Sequence, residues 1–131
     1  PICVRRYMAE TVRRAREQGF VTTLLGRRRH AGGLNSPDGR VRGSAERQII
    51  NAPIQGSAAD IIKAAMVRLA PRLPRFRARM ILQVHDELVI EVPAEEADGL
   101  RQVVVAVMEE PPVPGFAVPL RVDVEVGTTW H

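Results

Sequence analysis

The sequence has a single cysteine, few aromatic residues and no long apolar run. Cys3 has no second cysteine to pair with, so an intrachain disulfide is excluded and a reducing, intracellular setting is the default expectation. Aromatic residues make up only 4% of the chain, so the core must be built from aliphatic side chains and methionine. No apolar run approaches the roughly 18 residues that a membrane span needs, and no signal peptide is visible. We therefore expect a soluble, cytoplasmic protein without a membrane partner.

The 131 residues are enough for one compact domain, and their net charge of +4 is unevenly distributed. Residues 1–79 contain 17 Lys and Arg against 5 Asp and Glu, a net charge of +12, whereas residues 80–131 contain 2 against 10, a net charge of −8. A basic region beside an acidic one suits a protein that holds a polyanion on one side and cations on the other. Composition alone gives equal weight to the alternative that these charges only solvate the surface.

The first part of the chain alternates regular segments with a long loop. Apolar residues at helical spacing predict a helix that Pro1 opens and Gly19 ends. The segment "FVTTLLGRRRH" is typical of a short strand followed by a basic turn. Residues 31–44 are rich in Gly, Ser, Asn and Pro and predict a mobile loop. Ser44 is then expected to cap a second helix.

That second helix contains residues that disfavour an uninterrupted helix. Pro53 and Gly56 predict an interruption, after which Ser57 and Asp60 resemble a capping box that restarts the helix. Pro71 is expected to end it.

Three further elements complete the predicted fold. Residues 80–92 predict an apolar hairpin, "AEEADGLRQVVVAVMEE" predicts a helix with one apolar face, and "PLRVDVEVGTTW" alternates as a half-buried strand does. The fold class is α+β, with a small, mainly antiparallel sheet packed against helices.

The hairpin at 80–92 has three ionisable residues at its apex. Folding it about His85 and Asp86 opposes Val84 to Glu87 and leaves a two-residue loop, in which positive φ is favoured. His and Asp tolerate that backbone better than most residues, although Asn-Gly is the preferred pair. A turn that departs from the preferred residues suggests another use for the side chains. Spacing alone nevertheless favours an ordinary exposed polar tip.

Adjacent carboxylates on a stiff hairpin suit a hard divalent cation. Mg²⁺ takes one or two protein carboxylates and fills its other positions with water and phosphate oxygens. Two such ions about 4 Å apart can stabilise the attacking and leaving oxygens of a phosphoryl displacement. Carboxylates from more than one element are generally needed for this, and only one such element is evident in the sequence.

A stripe of hydrogen-bond donors precedes the hairpin. Arg47, Asn51 and Gln55 recur every four residues and so share one helical face. In the minor groove of DNA, every base pair offers acceptors at equivalent positions, so donors aimed there sense the shape of a pair and little of its sequence. A solvated helix face is the more common explanation for an isolated polar stripe. The arginine triplet 27–29 offers phosphate contacts but is weak support alone.

Four segments together resemble the C-terminal part of the family A DNA polymerases, the bacterial DNA polymerase I group. They are "LLGRRRH", "ERQIINAPIQGSAADIIKAAM", "QVHDELVIEV" and "VPLRVDVEVGTTW", in order across nearly the whole chain. The second and third segments are highly specific to the family, and they outweigh both of the ordinary explanations given above.

The resemblance implies roles for seven residues. "VHDE" is similar to polymerase motif C at the tip of a palm-domain hairpin, so Asp86 would bind metal and act in catalysis, with Glu87 as a less essential neighbour. His85 would approach the terminal nucleotide of the primer. The donor stripe corresponds to family positions that contact the duplex near the primer terminus, and the resemblance implies that Arg29 would be a further DNA contact.

Other parts of the family pattern have no counterpart in the sequence. The second metal-binding aspartate, in motif A, is missing, as are the fingers, thumb and exonuclease domains. We therefore expect residues 1–131 to be an incomplete C-terminal palm segment whose sheet has an unpaired edge and an exposed apolar face. The two-Mg²⁺ site of the family would lack one of its aspartates.

The resemblance implies a DNA-directed DNA polymerase that serves replication or repair, extends a primer 3′-hydroxyl and binds primer–template DNA and a deoxynucleoside triphosphate. The complete enzyme is expected to be monomeric, and the isolated chain inactive. The alternative is a non-catalytic duplex-DNA-binding module. A metal-dependent nuclease and an inert product of a truncated gene are further hypotheses.

Overall fold

The computed structural model describes residues 2–129, which form two compact units. The N-terminal unit ends at Asp60 and the C-terminal unit begins at Ile61. The helices and strands are, in chain order, α1 Ile2–Gln18, β1 Phe20–Thr22, β2 Arg28–His30, α2 Gly39–Leu69, β3 Arg79–Val84, β4 Glu87–Glu91 and α3 Ala97–Met108. Two 3₁₀ segments, Ala70–Phe76 and Ala94–Glu96, precede β3 and α3. The described chain is thus α+β, as predicted.

The first helix ends where the sequence predicts. Gly19 adopts a φ of +82°, which is costly for residues with a Cβ, and its N–H donates to the Ala15 carbonyl at 2.9 Å. The predicted helix start at Pro1 lies outside the described residues. The segment after Gly19 differs from the prediction, because β1 and β2 form an antiparallel ribbon and two of the three arginines belong to β2 instead of a turn.

Helix α2 begins earlier and runs further than predicted. It starts at Gly39, where the Asp38 carboxylate accepts the N–H of Arg40 at 2.8 Å, so Ser44 lies inside the helix and is not its cap. The predicted loop is shorter than expected, and Leu34 within it is buried.

The helix also continues through Pro53 and Gly56, where an interruption was predicted. Proline removes one N–H from a helix, and tertiary contacts can offset that loss. Ser57 is therefore no cap: its hydroxyl donates to the Pro53 carbonyl four residues earlier.

Each unit has its own apolar core. The core of the N-terminal unit is small and consists of Ala15, Val21, Leu34, Ala45 and Ile49. The core of the C-terminal unit consists of Leu69, Leu73, Ala78, Leu100, Val104 and Val107. Side chains of the β3–β4 hairpin, among them Met80, Leu88 and Ile90, pack against this second core, which confirms the predicted hairpin on helices.

The other side of the hairpin is less covered. Within residues 2–129, β3 and β4 pair only with each other, and Ile81 and Leu82 are exposed. The expected unpaired edge and exposed apolar surface are therefore present in the described part of the chain.

The predicted C-terminal strand is wrong. Residues 120–126 have no strand assignment, although Leu120, Val122 and Val124 are less exposed than the charged residues between them. Val124 packs against the core and the Val122 N–H donates to Glu109, a side chain and not a neighbouring strand. Alternation of apolar residues predicts which side is covered, but a strand also needs a backbone partner.

Candidate functional site

The three donors of the predicted stripe lie on one exposed face of α2. Arg47, Asn51 and Gln55 are all exposed, whereas the core residues Ala45 and Ile49 are buried on the opposite side of the helix. Because α2 is continuous, the spacing of four residues translates directly into three side chains on successive turns. The geometry that the sequence predicted is therefore present without the uncertainty that a break would add.

Arg29 is brought to the helix that carries this stripe. It pairs with Val21 across the β1–β2 ribbon and so shares its face of the ribbon, and Val21 is buried in the core. The guanidinium of Arg29 donates to the Gln48 side-chain oxygen at 3.0 Å. Gln48 is adjacent to Arg47 and three residues before Asn51, so Arg29 reaches the edge of the donor stripe.

The three arginines of the triplet have different surroundings. Arg28 lies on the other face of the ribbon, with its guanidinium carbon 4.5 Å from the centre of the Phe20 ring. Arg27 donates to the Asp60 carboxylate at 2.9 Å and to the Gly56 carbonyl at 3.1 Å. Of the three, Arg29 is held beside the donors, and it is the arginine for which the family resemblance implies a DNA contact.

Asp60 is a feature that sequence reasoning misassigned. Its side chain is buried, with 7% of the residue exposed, and it accepts hydrogen bonds from Arg27 and from the Thr23 hydroxyl. The capping box predicted with Ser57 does not form. Asp60 follows buried Ile49 by eleven residues, about three helical turns, so a continuous helix would have placed it on the buried face. A charged residue at such a position signals a partner elsewhere in the chain.

The apex of the β3–β4 hairpin has the predicted register. Val84 pairs with Glu87, and the next pairs are Gln83–Leu88 and Leu82–Val89. Of the two turn residues only His85 has positive φ, at +53°, and the Gln83 side chain donates to its carbonyl at 3.2 Å. His85, Asp86 and Glu87 are all exposed. The turn thus presents three polar side chains to solvent on a short apolar ribbon.

The apex offers part of a metal site. Asp86 and Glu87 supply the carboxylate oxygens that Mg²⁺ prefers, and Mg²⁺ commonly takes only one or two ligands from the protein. Residues 2–129 contain no group of three or more His, Cys, Asp or Glu placed to hold a metal ion. The two carboxylates are therefore ligands of the kind that Mg²⁺ takes, and within the described residues they belong to no larger group of metal ligands.

The two units differ in charge as well as in structure. Residues 1–60 contain 11 arginines against 5 acidic residues, a net charge of +6, and residues 61–131 contain 8 basic against 10 acidic residues, a net charge of −2. Arg29 and the donor stripe belong to the basic unit, and His85, Asp86 and Glu87 belong to the other. This distribution suits a polyanion at the first site and a cation at the second.

Comparison with known families assigns the class of protein. Residues 3–131 match the family described as DNA polymerase family A. Because this match covers nearly the whole chain, the chain belongs to DNA polymerase family A, and the resemblance noted in the sequence is confirmed.

Individual relatives agree with the family. The chain is 50% identical to DNA polymerase I of Bacillus caldotenax over 130 residues, which is 98% of this chain and 15% of that protein. It is 47% identical to the thermostable DNA polymerase I of Thermus aquaticus, over 97% of this chain and 15% of that protein. The chain thus spans about one seventh of the length of these curated relatives.

A solved structure has the same fold. The POL domain of Pol1 from M. smegmatis, in complex with DNA primer-template and dNTP, superposes with a TM-score of 0.83 at 45% identity, over 89% of this chain and 21% of that one. Within residues 2–129, no helix is both long and apolar enough to cross a membrane.

Proposed function

We propose that this chain is the C-terminal palm segment, with the palm domain incomplete, of a DNA-directed DNA polymerase that serves replication or repair. The reaction is template-directed transfer of a deoxynucleotide to a primer 3′-hydroxyl. Family membership supports this proposal, and the M. smegmatis relative was solved with primer-template and dNTP. The observation that carries it is the row of exposed donors on an unbroken α2, with Arg29 at its edge. The proposed partners are primer–template DNA and a deoxynucleoside triphosphate, in the bacterial cytoplasm.

In this proposal the basic unit holds the duplex near the primer terminus. Arg47, Asn51 and Gln55 donate to purine N3 and pyrimidine O2, which every correct base pair presents at equivalent places in the minor groove. Arg29 contacts a backbone phosphate, which adds affinity without sequence preference. Donors on successive turns of one helix thereby test the shape of consecutive base pairs.

The hairpin apex serves the reacting end of the primer. His85 approaches the terminal nucleotide, Asp86 binds Mg²⁺, and Glu87 is a weaker second carboxylate. Magnesium bound there would stabilise negative charge on the attacking and leaving oxygens. The contribution of the chain is a short, core-packed hairpin that presents Asp86 at a turn of defined register.

The test separates DNA binding from catalysis in the polypeptide that carries this sequence, purified as its gene encodes it. Asp86→Ala is expected to lower primer extension on the order of 10³-fold while duplex affinity is retained. Gln55→Ala is expected to lower primer extension and also to weaken duplex binding. Gln102→Ala, an exposed glutamine on α3, serves as the matched control and should change neither. If Asp86→Ala extended primers at a rate within tenfold of the parent rate, the assignment of Asp86 would be refuted.

A duplex-binding module without catalysis is the second candidate. It is favoured by one observation: four of the five candidate DNA contacts, Arg29 and the donor stripe, lie in the N-terminal unit, whereas the carboxylates Asp86 and Glu87 belong to the C-terminal unit. For the 131-residue chain alone we expect salt-sensitive duplex binding that Arg47→Ala weakens, and no primer extension. Template-directed, Mg²⁺-dependent extension by the pure chain would contradict this expectation.

A further inference from the structure

The buried carboxylate of Asp60 joins α2 to the turn that precedes β2. The Thr23 hydroxyl donates to one of its oxygens, and the Arg27 guanidinium donates to the other at 2.9 Å. Thr23 and Arg27 are the two ends of the turn, since the Thr23 N–H donates to the Arg27 carbonyl at 2.9 Å. One side chain of the helix therefore binds both ends of the turn that joins β1 to β2.

Neighbouring contacts hold the same turn against the same stretch of helix. The Leu24 N–H donates to the Ser57 hydroxyl oxygen at 2.8 Å, and Arg27 also donates to the Gly56 carbonyl at 3.1 Å. A Cβ added at Gly56 would lie 2.5 Å from the Thr23 methyl carbon, closer than real contacts allow. The turn is thus fixed by directional hydrogen bonds and by a close approach that only glycine permits.

We propose that Asp60 is a positioning residue for DNA contact by Arg29. Arg27, which Asp60 holds, lies two residues before Arg29 in the same short ribbon, and Arg29 reaches Gln48 at the edge of the donor stripe. With the turn anchored on α2, the guanidinium of Arg29 is held beside the donors before DNA arrives. Pre-organised charge binds more tightly because less side-chain freedom is lost on binding. The inference rests on the proposed contact between Arg29 and DNA.

Simple electrostatics and positioning predict opposite signs for one substitution. Asp60→Asn removes a negative charge from the basic unit, so charge alone predicts tighter binding to a polyanion. Loss of the anchor predicts weaker binding, because Thr23 and Arg27 donate to different oxygens of the carboxylate and an amide keeps only one accepting oxygen. Asp123→Asn removes the same charge at an exposed residue of the C-terminal unit and serves as the matched control.

The experiment measures anisotropy of a labelled primer–template duplex between 50 and 200 mM KCl, with the polypeptide as its gene encodes it. We expect Asp60→Asn to raise Kd about tenfold and to reduce the salt slope by about one, as for one lost phosphate contact. Asp123→Asn should leave Kd within about twofold of the parent value and the salt slope unchanged, since the charge of an exposed side chain is screened by salt. Thermal melting of each variant shows whether it is folded at the assay temperature.

A double-substitution cycle links the effect to Arg29. If Asp60 acts through Arg29, Asp60→Asn has no further effect on Kd or slope in an Arg29→Ala background. Full additivity overturns the inference, as does a Kd for Asp60→Asn at or below the parent value.

Failure of the proposed function has a different signature. If the parent protein does not bind the duplex, or if Arg29→Ala leaves the affinity unchanged, the proposed contact between Arg29 and DNA is refuted. If Asp60→Asn does not melt cooperatively, Thr23→Val decides, because at nearly constant shape and charge it removes the hydroxyl that donates to Asp60 and accepts the Arg27 N–H. Unchanged affinity and slope for Thr23→Val then overturn the inference.

Discussion

In the N-terminal unit a two-stranded ribbon is fixed to its helix by hydrogen bonds to a buried carboxylate, whereas in the C-terminal unit the hairpin is held by apolar packing. The ribbon contributes one buried core residue, Val21, and its turn is fixed by Thr23, Arg27 and the Leu24 N–H. In the C-terminal unit, hairpin side chains pack against the larger core.

The difference shows how two kinds of site are supported. Hydrogen bonds depend on direction and distance, so they fix where a neighbouring guanidinium lies. Apolar burial is not directional and stabilises in proportion to the area buried, so it holds the β3–β4 hairpin on its core. The turn at His85 and Asp86 then determines where the polar side chains lie. The position of Arg29 beside the donor stripe therefore depends on hydrogen bonds, and the position of the hairpin apex depends on apolar packing.

The largest expected effect tests the apolar core that supports the β3–β4 hairpin. Leu69 is fully buried at the end of α2, and Leu69→Ala should lower the free energy of unfolding by about 2–5 kcal/mol, because a cavity adds to the lost burial. Val67→Ala, two residues earlier and 74% exposed, is the matched control and should change stability by less than about 0.5 kcal/mol. Urea unfolding measures both, and equal effects would contradict the core assignment.

An intermediate effect tests the close polar fit. Gly56→Ala should destabilise by about 1–3 kcal/mol, because the new methyl group meets the Thr23 side chain. Gly43→Ala in the same helix has only the tip of Arg47 nearby, at 3.7 Å, and should stabilise by about 0.5–1 kcal/mol through helix propensity. Thermal unfolding measures both variants, and the expected changes in stability have opposite signs. A stabilising Gly56→Ala would show that the ribbon does not lie this close to α2.

The smallest effect concerns a surface network of the basic unit. Hydrogen bonds from Arg13 and then Arg14 lower the pKa of Glu10 from 4.5 to about 2. A lowered pKa in the folded state means that the stabilisation is present above pH 4.5 and is lost as pH falls through about 2. Glu10→Gln should therefore slightly flatten the fall of Tm over that interval, since exposed ion pairs contribute little.

Glu125→Gln is the control for this measurement, because Glu125 is exposed and forms no salt bridge within residues 2–129. A pH profile of Tm that Glu10→Gln leaves unchanged would show that the network has no thermodynamic weight.

Much of the fold follows from local signals in the sequence. The end of α1 at Gly19, the hairpin register about His85 and Asp86, and the apolar face of α3 were all predicted from periodicity and turn preferences. The errors occurred where local and tertiary preferences disagree. The Gly and Pro residues predicted that α2 would begin late and be interrupted. Instead, Asp38 caps an earlier start, and the helix continues through Pro53 into a stretch that contacts the turn between β1 and β2.

The sequence by itself determined the family, the spacing that puts Arg47, Asn51 and Gln55 on one face, and the turn that carries Asp86. These depend on residues a few positions apart, whose relation is set by helical period and by backbone sterics. Only the tertiary structure decided which arginine of the triplet reaches the donors and that Asp60 holds the turn, because these contacts join residues 19, 33 and 37 positions apart. It also decided that residues 120–126 form no strand, since pairing depends on a neighbouring backbone that alternation does not specify.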